Sequence, residues 1–250
     1  MTTALSVNLN KVALIRNSRE GNYPSVVTHA EICIDAGADG ITVHPRPDQR
    51  HIRPDDVYQL AELMKKHPSL EFNIEGNPFA GHMGSYPGFM ALVEKTLPHQ
   101  ATLVPDTDEQ LTSDHGFDLK QSGDKLKPII DRLKKLGIRV SLFMDPDIEQ
   151  IELAKQVGAD RIELYTGPYA AAWGTDKLDG IYQQHFEAAQ FATSIGLGVN
   201  AGHDLNLDNL GKFAQIPGLL EVSIGHAMTV DALSMGFSVA VKAYKDLLNT

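Results

Sequence analysis

A single cysteine, Cys33, occurs in 250 residues. No disulfide framework can form within the chain, which favours a reducing compartment. Cys33 sits in the apolar stretch Ala30–Ala36 and reads as a buried helix residue. No apolar run approaches the ~20 residues that span a bilayer. The opening Met1-Thr2-Thr3-Ala4 lacks the basic start and apolar core of a secretory signal. The expected location is therefore cytoplasmic. Positive charge is scarce: 22 Lys and Arg face 32 Asp and Glu, a formal net charge of −10. Such a chain repels nucleic acid and anionic membranes, so neither is expected as a partner. Any phosphate must be captured by local geometry. There is no Gly-rich dinucleotide fingerprint, no Walker-type loop, no His-x-His and no Cys-x-x-Cys. The ten histidines are scattered. Neither a cofactor nor a metal is expected.

What is present is a regular alternation. Eight short β-rich runs recur: Leu5–Asn10, Gly40–His44, Leu70–Glu75, Ala101–Pro105, Arg139–Asp145, Arg161–Thr166, Gly198–Ala201 and Leu220–Gly225. Helical patterns such as Asp147–Ala159, Ile181–Ile195 and Ala232–Leu248 lie between or after them. Strands alternating with helices imply a parallel sheet, and eight units imply closure. The fold class is α/β, a single-domain (β/α)8 TIM barrel, and such barrels run to about 250 residues. Gly37, Gly137 and Gly158 stand where helices end before the next strand. Two connections exceed plain turns, Gly76–Pro87 and Asp106–Gly123. Both follow strands, and long loops at that face are often lids.

Function in such barrels lives at the C-terminal ends of the strands. Those ends carry Asn8 and Asn10, then His44 with Arg46 and His51, then Glu75. Glu163 lies within the sixth strand, and Asn200, Gly202, His203, Asp204, Gly225 and His226 follow. Gly225-His226 opens a helix, where free amides and the helix dipole make an anion site. His44 reaches the rim, and imidazole suits proton transfer near neutral pH. Arg46 and His51 suit oxyanion contacts, whereas Arg50 and Arg53 read as solvated loop. Glu71 and Glu163 lie inside strands. A carboxylate facing a barrel interior must be paired, ligand-bound or raised in pKa. Glu71, Asn73 and Glu75 share one strand face, so periodicity alone does not choose between the two acids.

Several stretches resemble one family: Val7-Asn8-Leu9-Asn10, Arg16-Asn17-Ser18-Arg19, Ala36–His44 (AGADGITVH), Asp48–Ile52 (DQRHI), Leu103-Val104-Pro105, Val140–Phe143 (VSLF), Val199–His203 (VNAGH) and Ile224–Ala227 (IGHA). From near Leu5 onwards the chain resembles the pyridoxine 5′-phosphate synthases. These are homo-octameric barrels that condense 3-amino-2-oxopropyl phosphate with 1-deoxy-D-xylulose 5-phosphate. The resemblance implies proton acceptors at His44 and Glu71, a proton donor at His203, and transition-state stabilisation by Glu163. It implies an aminoketone-phosphate site at Asn8, Arg19, the Asp204 amide and Gly225-His226. It implies xylulose-phosphate contacts at Asn10, Lys11, Arg46, His51 and Thr112. The choice of Glu71 over Glu75 comes from this resemblance.

The sequence departs from the family pattern at Asn10-Lys11, often Asp-His, and at Asp204, often Gly. It is also longer across Gly76–Pro98. These departures point to a variant subgroup in which Asp204 has to keep its carboxylate off the phosphate. Two rival readings remain open at this level: a phosphosugar epimerase or isomerase barrel, which often needs a metal, and a barrel that only binds a phosphorylated ligand.

Overall fold

The computed structural model describes residues 2–249. Met1, part of the leader reading, and Thr250, the end of the expected domain, lie outside the described residues. Eight strands close into one parallel barrel in sequence order. They are β1 (Ala4–Asn8), β2 (Gly40–Val43), β3 (Glu71–Gly76), β4 (Gln100–Leu103), β5 (Arg139–Met144), β6 (Arg161–Tyr165), β7 (Gly198–Gly202) and β8 (Leu219–Ile224). Closure is made by β1 against β8, with Ala4 beside Glu221 and Val7 beside Ile224. Around it run α1 (Asn10–Asn17), α2 (Val26–Asp35), α3 (Pro54–Met64), α4 (Phe89–Thr96), α5 (Leu119–Lys135) and α6 (Ile148–Gln156). The ring is completed by α7 (Gly167–Ala172), α8 (Leu178–Ser194), α9 (Leu210–Phe213), α10 (His226–Met235) and α11 (Phe237–Leu248).

Each strand alternates with period two, and the apolar set faces outward. Leu5, Val7, Ile41, Val43, Phe72, Ile74, Val140, Leu142, Ile162, Leu164, Val222 and Ile224 are all buried among the helices. The inward set is polar, whereas barrels of this class usually fill that space with branched aliphatics. Bonds across and around the lumen establish the assignment. Ser6 and Thr42 share a hydroxyl contact of 2.7 Å, Thr102 donates to Asn73 at 3.1 Å, and Asn200 donates across to Gln100 at 3.4 Å. Much of the buried polar interior is therefore hydrogen-bonded, which is the condition for its being tolerated, while Gln100 Nε2, Ser141 Oγ and Glu163 Oε2 have no hydrogen-bond partner.

Three sequence-level boundaries shift. The first strand stops at Asn8, and Asn10 starts α1 instead of ending a strand. The Asn8 side chain turns back to accept from the Asn10 amide at 2.9 Å, and this local bond competes with continued extension. The final helix expected over Ala232–Leu248 is two helices, α10 and α11, broken at Gly236 with φ +82°. The fourth loop ends at Asp118, whose side chain caps α5 through the Lys120 amide, so Leu119–Gly123 are helical. The expected left-handed turns form at Gly37, Gly137 and Gly158. Cys33 is buried in α2, and burial pushes its thiol up to about 12.

Candidate active site

The C-terminal mouth of the barrel holds a cavity of about 350 Å³. It gathers Asn8, Asn10, Lys11, His44, Arg46, His51, Thr112, Glu163, His203, Asp204, Gly225 and His226. All of these were expected from the sequence. Glu75, Arg50, Phe143 and Ser223 join them.

His44 ends β2, and its backbone amide donates to the Asn10 side chain at 2.9 Å. Its ring is buried between two acids: Nδ1 lies 3.8 Å from Glu75 Oε2, and Nε2 lies 3.4 Å from Asp106 Oδ2. Burial lowers the His44 pKa, and the Asp106 charge opposes that shift. Glu75 is held by neutral donors, Asn8 Nδ2 at 3.3 Å and Ser223 Oγ at 3.4 Å. Burial, reinforced by Glu163 and Glu221, pushes its carboxyl well above the usual carboxylate range. Glu163 is raised in the same way, first by burial and then by Glu221. Its Oε2 is buried with no hydrogen-bond partner. A side chain at Gly202 would stand 2.3 Å from Glu163 Oε1, so any other residue there would displace that carboxyl from its place against β7.

His203 is held from both ring nitrogens. Nδ1 stands 2.9 Å from Asp204 Oδ2, and Nε2 stands 2.8 Å from Thr112 Oγ1. His203 and Asp204 both take positive φ, +91° and +59°. The Thr166 hydroxyl supports this uncommon backbone by presenting its one proton to the adjacent carbonyls of Gly202 and His203. The Asp204 carboxylate is thus turned onto its neighbour, and that bond holds its pKa below the ordinary value. His51 is driven down to about 2, chiefly by burial, then by His44, Arg46, Lys11 and Arg50. The Ile52 amide donates to its Nδ1 at 3.0 Å, which puts the ring proton on Nε2.

The cations divide by partner. Arg46 is ion-paired to Asp106 and donates to the Gln110 carbonyl at 2.6 Å. Arg50, which the sequence left as solvated loop, donates to the carbonyls of Gln110 and Asp108, each at 2.7 Å, and so holds down the β4–α5 loop. Among the described residues Lys11 makes no ion pair. Gly225 caps α10, and an added Cβ there would lie 3.0 Å from Asn8 Cβ and Oδ1. The close neighbour at this position is therefore Asn8.

Two expected residues are not brought into the cavity. Glu71 begins β3, four residues below Glu75, or ~13 Å at strand rise. It is ion-paired to Arg139 at the opposite end of the barrel. Period two placed Glu71 and Glu75 on one face correctly but carried no information about height. Arg19 is exposed after α1, with its guanidinium on the Ser18 carbonyl at 2.7 Å. The buried arginine of that segment is Arg16, ion-paired to Asp56. Asp106 was missed, although it follows β4 where the strand-end rule applies. It also lines a second cavity of about 390 Å³ beneath the Gly76–Pro87 segment. Among the described residues no group of three or more His, Cys, Asp or Glu is arranged to hold a metal. No helix among them is long and apolar enough to cross a membrane.

A family model described as pyridoxal phosphate biosynthesis protein PdxJ matches residues 5–250. The pyridoxine 5′-phosphate synthase of Xanthomonas axonopodis pv. citri is 57% identical over 100% of this chain and 98% of its own. That of Albidiferax ferrireducens is 56% identical over 98% and 96%, and that of Xylella fastidiosa strain M23 is 52% identical over 99% and 95%. Among solved structures, the tryptophan synthase alpha chain of Legionella pneumophila subsp. pneumophila superposes with a TM-score of 0.66 at 13% identity. It covers 99% of this chain and 92% of its own. A protein titled KGPDC from Streptococcus mutans gives 0.61 at 13% identity, over 100% and 98%. At that identity the likeness shows the barrel fold alone.

Proposed function

The chain belongs to the PdxJ family of pyridoxal phosphate biosynthesis proteins, and from that premise we propose that it is a pyridoxine 5′-phosphate synthase. It condenses 3-amino-2-oxopropyl phosphate with 1-deoxy-D-xylulose 5-phosphate and releases pyridoxine 5′-phosphate, inorganic phosphate and water. The observation that carries this reading is the arrangement of acid/base groups. Two histidines and two raised carboxyls face one cavity from β2, β3, β6 and β7.

The chemistry needs those groups. An amine adds to a ketone, water leaves, phosphate is eliminated, and an aldol-type closure forms the ring. Each step moves protons, and groups with separated pKa values divide the labour. His44, kept neutral by burial, takes protons at the ring nitrogen facing Glu75. Glu75 and Glu163, kept protonated, donate to oxygens that gain charge. His203, oriented by Thr112 and Asp204, delivers a proton to the leaving oxygen. Glu75, not Glu71, is the acid of β3 that meets the substrates, and it serves as a donor where the resemblance implied an acceptor at Glu71.

Phosphate capture is also divided. The aminoketone phosphate rests on Asn8, the Asp204 amide and the first amides of α10 at Gly225-His226. The xylulose phosphate is met by Lys11, with Asn10, Arg46, His51 and Thr112 around its hydroxyls. Holding both substrates head to head supplies the proximity term. The β4–α5 loop closes over them through Thr112.

The subunits assemble with copies of themselves, as the octamer implied by resemblance. Leu14 and Ile15 on α1 and Val230 and Leu233 on the adjacent α10 are exposed apolar side chains suited to such contacts. The enzyme works in the cytoplasm. Mixing the purified protein with both phosphates and following pyridoxine 5′-phosphate and free phosphate tests the reading. Equal amounts of the two support it, and no product from either order of addition overturns it.

A further inference from the structure

Asp106 is the hub of the site's rim. Its Oδ2 receives Arg46, stands 3.4 Å from His44 Nε2, and accepts from Ser113 Oγ at 3.4 Å. Its backbone carbonyl accepts from Asn77 Nδ2 at 2.9 Å. Its Oδ1 is buried with no hydrogen-bond partner. The oxygen that faces Nε2 is thus Oδ2, held in place by Arg46, while Oδ1 makes no bond that would pull the carboxylate away from the ring.

We propose that Asp106 is the positioning residue that fixes which nitrogen of His44 carries the proton. It accepts the Nε2 proton and leaves the Nδ1 lone pair facing Glu75 and the substrate. The inference rests on the functional reading above for the role of His44, but not for the tautomer itself.

Geometry gives the reason. A neutral imidazole carries one proton, and its site is set by the better acceptor within reach. Nε2 faces a carboxylate ion-paired to Arg46, whereas Nδ1 lies farther, at 3.8 Å, from Glu75, whose carboxyl has no cationic partner and is pushed towards its protonated form by burial. A protonated acid is a donor, and it favours a bare Nδ1. A carboxylate at 3.4 Å is long for a hydrogen bond, but catalytic contacts of this kind tighten when substrate enters. The Asp106 charge also supports the imidazolium that forms once Nδ1 takes a proton. The other charged or titratable groups facing His44 are Arg46 and Arg50 from its own loop, His51 at 6.2 Å between ring centroids, and Glu75 from β3. Lys11 projects into the same cavity from α1. Arg46 and Arg50 lower the His44 pKa, and Asp106 raises it.

The test is Asp106→Asn, which keeps the shape but offers an amide N–H to Nε2. Histidine-selective ¹⁵N NMR, with His44→Gln to assign the signal, reads the tautomer. The wild type should show the neutral ring protonated at Nε2, and Asp106→Asn should show it at Nδ1. The kcat should fall by roughly 10²- to 10⁴-fold, as for a wrongly protonated catalytic histidine. KM for both phosphates should stay within a few-fold. The acid limb of the kcat profile should move to lower pH, because losing a negative charge lowers the imidazole pKa. Asp106→Glu should restore the Nε2 tautomer and part of the rate.

A wild-type His44 protonated at Nδ1 overturns the proposal whether or not the variants fold. So does Asp106→Asn with an unchanged tautomer, or with a loss confined to KM through a misplaced Arg46. The NMR signal does not depend on turnover. An inactive wild type with the Nε2 tautomer would therefore contradict the functional reading and leave the tautomer assignment standing.

Discussion

The two ends of the barrel use the same residue types in opposite ways. At the N-terminal end Glu71 is ion-paired to Arg139, and Glu221 faces Arg161 at 3.7 Å. Arg161 also donates to Asn200 at 3.1 Å, and Arg139 donates to Gln100 at 2.9 Å. At the C-terminal mouth Glu75 and Glu163 have no arginine or lysine partner among the described residues, and burial raises both. Both ends hold raised carboxyls, since burial and then Glu71 push Glu221 up to about 7, but only those at the N-terminal end have arginines facing them. Asp106 fits the contrast: it sits at the mouth but is compensated by Arg46, so it orients another group.

The largest expected effect breaks the poise at the mouth. Glu163→Gln should lower kcat by about 10²-fold or more, the scale of a lost acid/base group. It should also stabilise the fold. A carboxyl raised on folding costs stability increasingly as pH climbs above its ordinary range, and glutamine removes that cost. Melting curves should show the variant gaining on the wild type from pH 5 towards pH 8. A variant that is slower but never more stable at the higher pH would mean that Glu163 is not strained by its burial.

A smaller effect concerns phosphate capture. Gly225→Val pushes its side chain onto Asn8, which lies 3.0 Å from the added Cβ. Both Asn8 and its bond to Glu75 should be displaced. Calorimetric titration should show affinity for the aminoketone phosphate falling by about 1.5–3 kcal/mol, the value of a charge-assisted bond. Binding of the xylulose phosphate should change little. Equal loss of both would show that the two phosphate ends are not separate.

The smallest effect is at the opposite end. Arg139→Met leaves Glu71 without its partner, but both side chains are partly solvated. The cost should be about 1 kcal/mol, or ~2–4 °C in Tm. The kcat should stay within about twofold, and a loss of kcat as large as that of Glu163→Gln would erase the distinction between the two ends.

The strands were legible because alternation and Gly-ended helices are local signals. Each of the eight expected runs overlaps its strand, with no edge moved by more than two residues. The break at Gly236 was hidden because the apolar period of Ala232–Leu248 continues through it. Most cavity residues were legible from one rule, that strand ends carry function. The misses are matters of height and direction. Glu71 and Glu75 are indistinguishable by period; the strand-end rule puts Glu75 at the rim, and the resemblance, not the pattern, chooses Glu71. Arg16 and Arg19 lie within one motif, and only helix packing shows that Arg16 turns inward to Asp56 while Arg19 faces solvent. Arg50 and Asp106 act through loop carbonyls and a neighbouring imidazole, pairings between segments about 60 residues apart that no local pattern encodes.

The contrast between the two ends is tested most directly by one paired measurement on β3. Single-turnover rates of Glu75→Gln and Glu71→Gln should be compared at saturating concentrations of both phosphates, with each fold checked by thermal melting. Glu75→Gln should be slower than the wild type by about 10²-fold or more, and Glu71→Gln should lie within a few-fold of it. A Glu71→Gln that loses its chemistry while Glu75→Gln keeps it would contradict the account.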